Sequence, residues 1–434
     1  MSKITMGIFF YNLLISLYAI AFKIAAIFNM KARLGLQGRK NIFIKIASSI
    51  GTGKQQLIWM HCASLGEFEQ GRPVLESLKN RYPGSTIVLT FFSASGYEAM
   101  KNYEGADHVF YLPMDSPLNA KQMVDILNPS LVLWVKYEFW YHYLHELKAS
   151  NVPTLLISGI FRASHPFFKW YGGIWREMLK CFTHIFVQNE SSSNLLATIG
   201  FNKNVVVTGD TRFDRVIEIA ENFEAIPLVE KFCGGNKVIV AGSTWEDDEA
   251  ELIHYVRKNP QIKFIIAPHE VTAENLRDVK KEFDNSIFYS ALITGQYATG
   301  NPDTKGDELI SANVLIIDNV GMLSRLYYYA DITYVGGGFG ADGVHNVLEA
   351  AVYGKPVIFG PEFEKYSEAI GLEESGAGIS IENALELETI LEELWGNDSL
   401  LADKGKAAKD FVYSNAGASN KIIQFIQEKR LLTS

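Results

Sequence analysis

Two short stretches carry the residues best suited to chemistry. One is Val335-Gly-Gly-Gly-Phe-Gly-Ala-Asp-Gly-Val-His345-Asn346-Val-Leu-Glu349-Ala-Ala, which follows a β-branched run and leads into a helical pattern starting near Val344. Glycines there let a backbone approach a ligand closely. The free N–H groups and dipole of a helix start favour an anionic phosphate. Glu349, inside that helix, is placed to accept bonds from ribose hydroxyls. Read literally, Gly338-Phe-Gly340-Ala-Asp-Gly343 is also a dinucleotide fingerprint, with Glu362 nineteen residues on. Position counts against that reading, because such a fingerprint usually opens its domain and too few strands follow here to build the rest. A glycine turn with no ligand is the third reading.

The second stretch is His61-Cys-Ala-Ser64-Leu-Gly66-Glu67-Phe-Glu69-Gln70, at a strand-to-helix turn. Ser64 with Glu67 three residues later is a capping box, in which each side chain satisfies a backbone N–H at the helix start. A carboxylate in that place can equally serve as a general base, if partial burial raises its proton affinity towards neutrality. Both readings stay open on the residues alone, and Glu69 fits first-turn dipole chemistry. Two more strand ends carry polar groups, Ala241-Gly-Ser243-Thr244 and Ala267-Pro-His269-Glu270. Ser243 and Thr244 can bond phosphate and His269 can pair with an anion. Each taken singly is more often a turn or cap residue, but their convergence on one sheet edge favours a ligand. Trp134, Phe139 and Trp140 read as core packing, and Glu138 among them would be costly to bury unpaired.

The elements that must position these groups are legible as a pattern. Short β-branched runs at residues 57–61, 86–91, 131–135, 154–158, 184–187 and 205–208 alternate with helical patterns, as in a parallel sheet covered on both faces. The pattern restarts with runs at 237–241, 263–267, 314–317, 332–335 and 356–359, after a low-signal stretch at 210–236 that reads as a connection. The expected domains are an anchor over 1–30, a first Rossmann-like domain over 31–209 and a second over 210–434. The last helix can pack back on the first domain. Two doubly wound domains imply a cleft, and ligands in such folds bind at the carboxyl ends of the strands. Residues 295–306, with Gly, Asn, Pro, Asp and Thr, read as a solvated and mobile insertion.

At 434 residues the chain is too long for one compact core, which suits two domains. A net charge of −9 argues against a nucleic-acid partner, because neutralising phosphates needs clustered Lys and Arg. Cys62, Cys181 and Cys233 are odd in number and far apart, so neither a disulfide framework nor a zinc site is expected. Residues 4–22 carry no charge, and about 20 apolar residues suffice to span a bilayer. This is a candidate transmembrane or monotopic anchor. A cleaved signal peptide fits worse, since Phe, Tyr and Ile crowd the place of a small-residue cleavage site. A buried core helix is the remaining alternative. Lys31, Arg33, Arg39, Lys40 and Lys45 follow the run against Lys3 alone before it, so the positive-inside bias puts the bulk of the protein in the cytoplasm.

At these residues the chain resembles the Kdo (3-deoxy-D-manno-octulosonate) transferase family, bacterial enzymes that build the lipopolysaccharide inner core. The family's H-x-A-S-x-G-E matches His61 to Glu67, its E-x-W matches Glu138 to Trp140, and its R-x-S matches Arg162 to Ser164. The Ser-Thr after the first strand of the second domain matches Ser243-Thr244. The G-G…G-x-H-N-x-L-E-x-A motif matches Gly336 to Ala351, with Gly360-Pro361 after it. The chain departs from the pattern at Pro268-His269, where the family commonly has an Arg between Pro and His, and at Met322, where a Glu is usual. Gly338, Val344 and Val347 replace a usual Ser, Gly and Pro.

The resemblance implies a GT-B architecture, with two Rossmann-like doubly wound domains facing a central cleft and an N-terminal membrane anchor helix. It implies CMP-Kdo as donor, a lipid A precursor as acceptor, and a place on the cytoplasmic face of the inner membrane. Inversion would follow with Glu67 as catalytic base and with no metal or other cofactor. Ser64, Gly66, Glu138 and Arg162 would lie on the acceptor side. Gly337, Gly338, His345, Asn346 and Glu349 would hold the nucleotide, with Ser243, Thr244 and His269 near the phosphate or sugar acid. Asp318, Gly321 and Met322 would border the base. The rival readings are another nucleotide-sugar enzyme of this fold (a UDP-sugar transferase or an epimerase), an NAD-dependent oxidoreductase, and a non-catalytic sugar-nucleotide sensor.

Overall fold

The β-branched runs become parallel strands in a computed structural model that describes residues 3–51, 56–136, 138–294 and 311–433. The insertion expected at 295–306 lies outside the described residues. Two compact units emerge, Met1–Arg215 with Ala416–Ser434, and Val216–Asn415. In the first, β1 (Leu57–Cys62), β2 (Thr86–Phe91), β3 (His108–Tyr111), β4 (Leu131–Val135), β5 (Thr154–Gly159), β6 (His184–Val187) and β7 (Val205–Val207) form one sheet. Its order is β3-β2-β1-β4-β5-β6-β7 and its pairs are parallel. β1 and β4 are buried along their whole length. Helices cover both faces of a parallel sheet, which is why these strands read as unbroken apolar runs without alternation.

The second unit holds β8 (Val238–Thr244), β9 (Lys263–Pro268), β10 (Ser286–Phe288), β11 (Val314–Ile316), β12 (Ile332–Val335), β13 (Val357–Phe359) and β14 (Gly378–Ser380). Their order is β10-β11-β9-β8-β12-β13-β14, again with parallel pairs. β3, β10 and β14 have no counterpart among the expected runs. They are only three or four residues long and partly exposed, so neither length nor apolar continuity marks them.

The stretch 210–236, expected as a plain connection, instead holds helices Thr211–Glu221 and Pro227–Cys233. Pro227 starts the second at the position where its missing N–H is harmless, and Val229, Phe232 and Cys233 bury its apolar face. The last helix, Ala418–Glu428, belongs to the first unit. Ile422, Ile423 and Ile426 complete the core beside β1, and Asp214 accepts from the N–H groups of Gly417 (2.5 Å) and Ser419 (2.6 Å) at its start.

At the N-terminus, Thr5–Phe28 is one helical stretch long and apolar enough to cross a membrane; apart from the buried Ala26, its residues are half-buried or exposed. Two short helices follow, Met30–Gly38 and Ile42–Ser49. Arg39, just after the first, donates to the carbonyls of Leu112 (2.8 Å), Gly35 (2.9 Å) and Phe92 (2.5 Å) and lies 4.7 Å over the Phe92 ring. That guanidinium ties the N-terminal helices to the strand ends of the first sheet.

Strand order decides where a ligand can enter. In the first unit the chain runs outward from β1 to β3 and then returns to β4 on the other side of β1. In the second it runs outward from β8 and returns to β12 on the other side of β8. Helices crossing over from neighbouring strands part at such switch points and leave a crevice at the carboxyl ends. Those ends are Cys62, Val135, Thr244 and Val335, each bordering a stretch singled out above.

Candidate active site

In the first unit, β1 stops at Cys62 and the chain turns through Ala63 and Ser64 into the helix Leu65–Arg81. Ser64 Oγ accepts from the Glu67 N–H at 3.4 Å, so the cap is formed. Glu67 reaches back past Ser64 and takes the Ala63 N–H at 2.5 Å, with the residue only 8% exposed. The capping role is thus present. It also fixes the carboxylate at a switch-point strand end. Gly66 is exposed in the same first turn, and a Cβ there would meet nothing within 4 Å. Packing among the described residues does not require glycine at this position.

His61, on β1, is fully buried beside Trp134, with ring centroids 4.6 Å apart. Its Nδ1 lies 3.0 Å from Thr90 Oγ1 and 3.2 Å from the Thr90 carbonyl. The Thr90 hydroxyl already donates to Met60 O and accepts from Trp59 Nε1, so Nδ1 carries the proton towards it. His61 Nε2 is left 3.9 Å from Glu138 Oε2, and both atoms are buried without a hydrogen-bond partner among the described residues. The Glu138 backbone carbonyl accepts from Trp134 Nε1, which holds the turn after β4 in place. The buried Cys62 thiol is pushed well up, first by burial and then by the charges of Glu67, Glu69 and Glu138. It is therefore an inert thiol, and it shows that three carboxylates converge on this strand end. Glu69 is paired with Arg72 and Arg215, both at 3.5 Å. Arg162 is exposed, three residues beyond β5.

In the second unit the glycine-rich segment is shaped by the protein's own backbone. A Cβ at Gly336 would lie 2.4 Å from the Ser243 carbonyl oxygen, and one at Gly338 would lie 2.6 Å from the Gly360 nitrogen. Gly337 has φ +92° and donates its N–H to Asp248 Oδ2 at 2.8 Å. The helix expected near Val344 begins only at Leu348 and runs to Ala351, so Glu349 sits in its first turn and not well inside it. The reason is not local: the N–H groups of Val344 and His345 donate to the Glu362 and Gly336 carbonyls, which draws them away from a helical turn.

Three rings stack here, Trp245 and His269 each directly after a strand and His345 from within the glycine-rich segment. Trp245 lies 4.6 Å from His269, and His269 lies 4.4 Å from His345, with interplanar angles of 24° and 17°. Trp245 Nε1 donates to His345 Nε2 at 3.0 Å. Burial, with His269 second, holds the His345 imidazole down at about 4, so it is neutral and keeps its proton on Nδ1. Asp248, wholly buried, organises this edge. Oδ2 accepts from Trp245 N (2.9 Å) as well as Gly337 N, and Oδ1 accepts from the Tyr334 hydroxyl (2.9 Å). Thr244 Oγ1 donates to Glu249 Oε1 at 2.8 Å, and burial lifts Glu249 to about 7. Ser243 is held at φ +53°, a left-handed conformation unusual for a non-glycine residue.

The remaining expected residues are engaged locally. Asn346 Nδ2 donates to Glu349 Oε1 at 3.0 Å. Asp318 caps the helix Tyr289–Thr294 through the Ser290 N–H (2.9 Å) and hydroxyl. Gly321 supplies φ +95° to the turn that leads to the buried Met322. Trp245, Asp248 and Glu249 were not foreseen. The available signal was an acidic cluster, Glu246 to Glu249, directly after Ser243-Thr244-Trp245.

The family model for 3-Deoxy-D-manno-octulosonic-acid transferase (kdotransferase) matches residues 29–215. A 3-deoxy-D-manno-octulosonic acid transferase from Aquifex aeolicus is 29% identical over 344 residues, covering 78% of this chain and 85% of the relative. The transferase of the same name from Haemophilus influenzae is 24% identical over 390 residues, covering 86% and 87%. Among solved structures, UDP-GlcNAc 2-epimerase from Neisseria meningitidis bound to UDP-GlcNAc superposes with a TM-score of 0.58 at 17% identity, covering 86% of this chain and all of that one. A glycosyltransferase from Rickettsia africae gives 0.52 at 16% identity, covering 87% and 99%. These neighbours establish the α/β, GT-B-like fold.

Proposed function

The chain belongs to the 3-deoxy-D-manno-octulosonic acid (Kdo) transferase family and is a Kdo glycosyltransferase; on that premise we propose that it moves Kdo from CMP-Kdo to a lipid A precursor at the cytoplasmic face of the inner membrane, with inversion and without a metal ion. The observation that carries the reading is Glu67: a nearly buried carboxylate, fixed by the Ala63 N–H at the switch point of the first sheet. The first unit binds the acceptor, whose hydroxyl gives its proton to Glu67 as the hydroxyl oxygen bonds to the anomeric carbon of Kdo. The bond from that carbon to the phosphate oxygen breaks on the opposite face, and its electron pair leaves with CMP. Phosphate in this setting is a good leaving group whose charge hydrogen-bond donors can hold.

The second unit holds the donor. His345 offers its Nδ1–H, Ser243 and His269 stand at the same strand ends, and the Asn346–Glu349 pair meets the ribose hydroxyls. Gly66 and Arg162 face the acceptor, and Glu138 with His61 receives one of its hydroxyls. The amphiphilic acceptor gives the apolar N-terminal helix its purpose.

Thermal shift of the full chain with CMP, UDP and NAD tests the donor class. A ligand at 100 times its Kd stabilises the folded state by about 2.7 kcal/mol. CMP should raise Tm. A rise with UDP or NAD and none with CMP would replace the proposal with a UDP-sugar enzyme or an oxidoreductase.

A further inference from the structure

The N-terminal helix Lys3–Phe28 carries two opposite stripes. Ile8, Tyr11, Ile15, Ala19, Phe22 and Ala26 recur every three or four residues and lose exposure against the first unit. Phe9, Leu13, Leu17, Ile20, Ile24 and Ile27 recur in the same way on the outer side and are exposed. The docked stripe is held by specific bonds. The Tyr11 hydroxyl donates to Asp115 (2.6 Å) and accepts from the Tyr141 N–H (3.1 Å), and Asn12 Oδ1 lies 2.7 Å from His142 Nε2. Asp115, itself buried, also accepts from the N–H groups of His142 and Tyr143. Gly7 meets Ile174 at one end of the helix, and Tyr18 stacks on Phe92 further along.

A spanning helix needs about 20 residues free of folded protein to cross a ~30 Å hydrocarbon core. Here docking runs from Gly7 to Ala26, so no such free stretch exists. Placing this helix across a bilayer would either peel it from Asp115 or sink Asp115, Tyr141 and His142 into hydrocarbon. We infer that the helix lies in the plane of the membrane surface, docked along the first unit, with its outer stripe as the lipid-binding face of a monotopic protein. This rests on the membrane-anchored reading above and adds its orientation.

The surroundings fit a lipid surface. Trp170 (92% exposed) and Tyr171 stand in the turn before the helix Gly173–Leu179, the one that meets Gly7, and such rings favour the headgroup layer. Lys23 and Lys31 are exposed for anionic headgroups. A cavity of about 410 Å³ beside the helix is walled by Ala19, Phe22, Leu36, Ile44 and Lys23, an apolar lining with a cation suited to an anionic lipid.

Full-length Ser2→Cys and Ser191→Cys chains in bacterial inner membranes test this with a membrane-impermeant maleimide on inside-out and right-side-out vesicles. The three native cysteines are buried and set the background. Both new cysteines should label in inside-out vesicles alone. Labelling of Ser2→Cys in right-side-out vesicles, with Ser191→Cys labelled only in inside-out ones, shows a spanning helix and overturns the inference. Recovery of the chain in the soluble fraction after a high-salt wash is a different failure, because it removes the membrane reading itself.

Discussion

The two switch-point clusters treat their polar atoms in opposite ways. In the first unit, His61 Nε2 and Glu138 Oε2 are buried 3.9 Å apart with no hydrogen-bond partner among the described residues, none of which would lie within 4 Å of a Cβ at Gly66. In the second, polar groups satisfy one another: Asp248 takes three donors, Thr244 bonds Glu249, Asn346 bonds Glu349 and Trp245 bonds His345. An unmet buried polar group costs about 1–3 kcal/mol, so it persists where something else uses it. A satisfied buried network instead rigidifies its surroundings. On the function proposed above, the first cluster does the chemistry and the second holds the donor.

Substitutions can break that division of labour, and the largest effect belongs to Glu67. Glu67→Gln preserves size and remains an accepted capping-box partner, so a purely structural role predicts near-normal turnover. If Glu67 is the base, single-turnover transfer should fall at least ~10²-fold while Tm and CMP affinity stay near wild type. A variant with nearly normal single-turnover transfer removes the base assignment.

Next comes Glu249, which should report the satisfied cluster through pH. Its folded-state value of about 7 lies above its ordinary 4.5, so the folded protein binds the proton more tightly than the unfolded chain. That contribution is fully present below about pH 4.5 and is lost as pH rises through about 7. Glu249→Gln mimics the protonated form at every pH. Relative to wild type it should gain on the order of 2 kcal/mol between pH 5 and pH 8. Melting curves at the two pH values check this, and an unchanged difference would show that Glu249 is not held in that environment.

Glu349→Ala sharpens the holding role. It should weaken CMP binding by about 1–3 kcal/mol, the cost of unpaired buried partners, and leave transfer at saturating donor nearly intact. Calorimetry with unchanged CMP affinity would take Glu349 out of the nucleotide site. Ser64→Ala has the smallest expected effect. It damages the cap without touching the carboxylate, so it should cost about 1 kcal/mol of stability and little rate. A Ser64→Ala chain whose turnover falls as far as that of Glu67→Gln would merge the two roles.

What could be read from the chain beforehand follows from how local each signal is. Ser64 and Glu67 are three residues apart, so their cap declares itself, and β1 and β4 declare themselves by continuous apolar runs. The glycine-rich segment was recognisable, but the reason for two of its glycines was not. Gly336 and Gly338 make room for the Ser243 and Gly360 backbones, which adjoin only after folding. The helix start was misplaced by the same kind of contact, since Val344 and His345 are drawn off to remote carbonyls. Asp248 was missed because its partner Gly337 is 89 residues away, and an acid in a first turn looks like ordinary dipole chemistry. Trp245 carries no local signal of its own, because its ring meets His269 only once the two strand ends lie side by side.

The central claim is Kdo transfer from CMP-Kdo to a lipid, and one measurement addresses it without any variant. The full chain is incubated with CMP-Kdo and a lipid A precursor, and the lipid product is weighed by mass spectrometry alongside the CMP released. The account predicts a lipid heavier by whole Kdo residues, with one CMP released for each residue added. CMP release with an unmodified lipid, or glycosylation of the lipid from a UDP-sugar but not from CMP-Kdo, would contradict it.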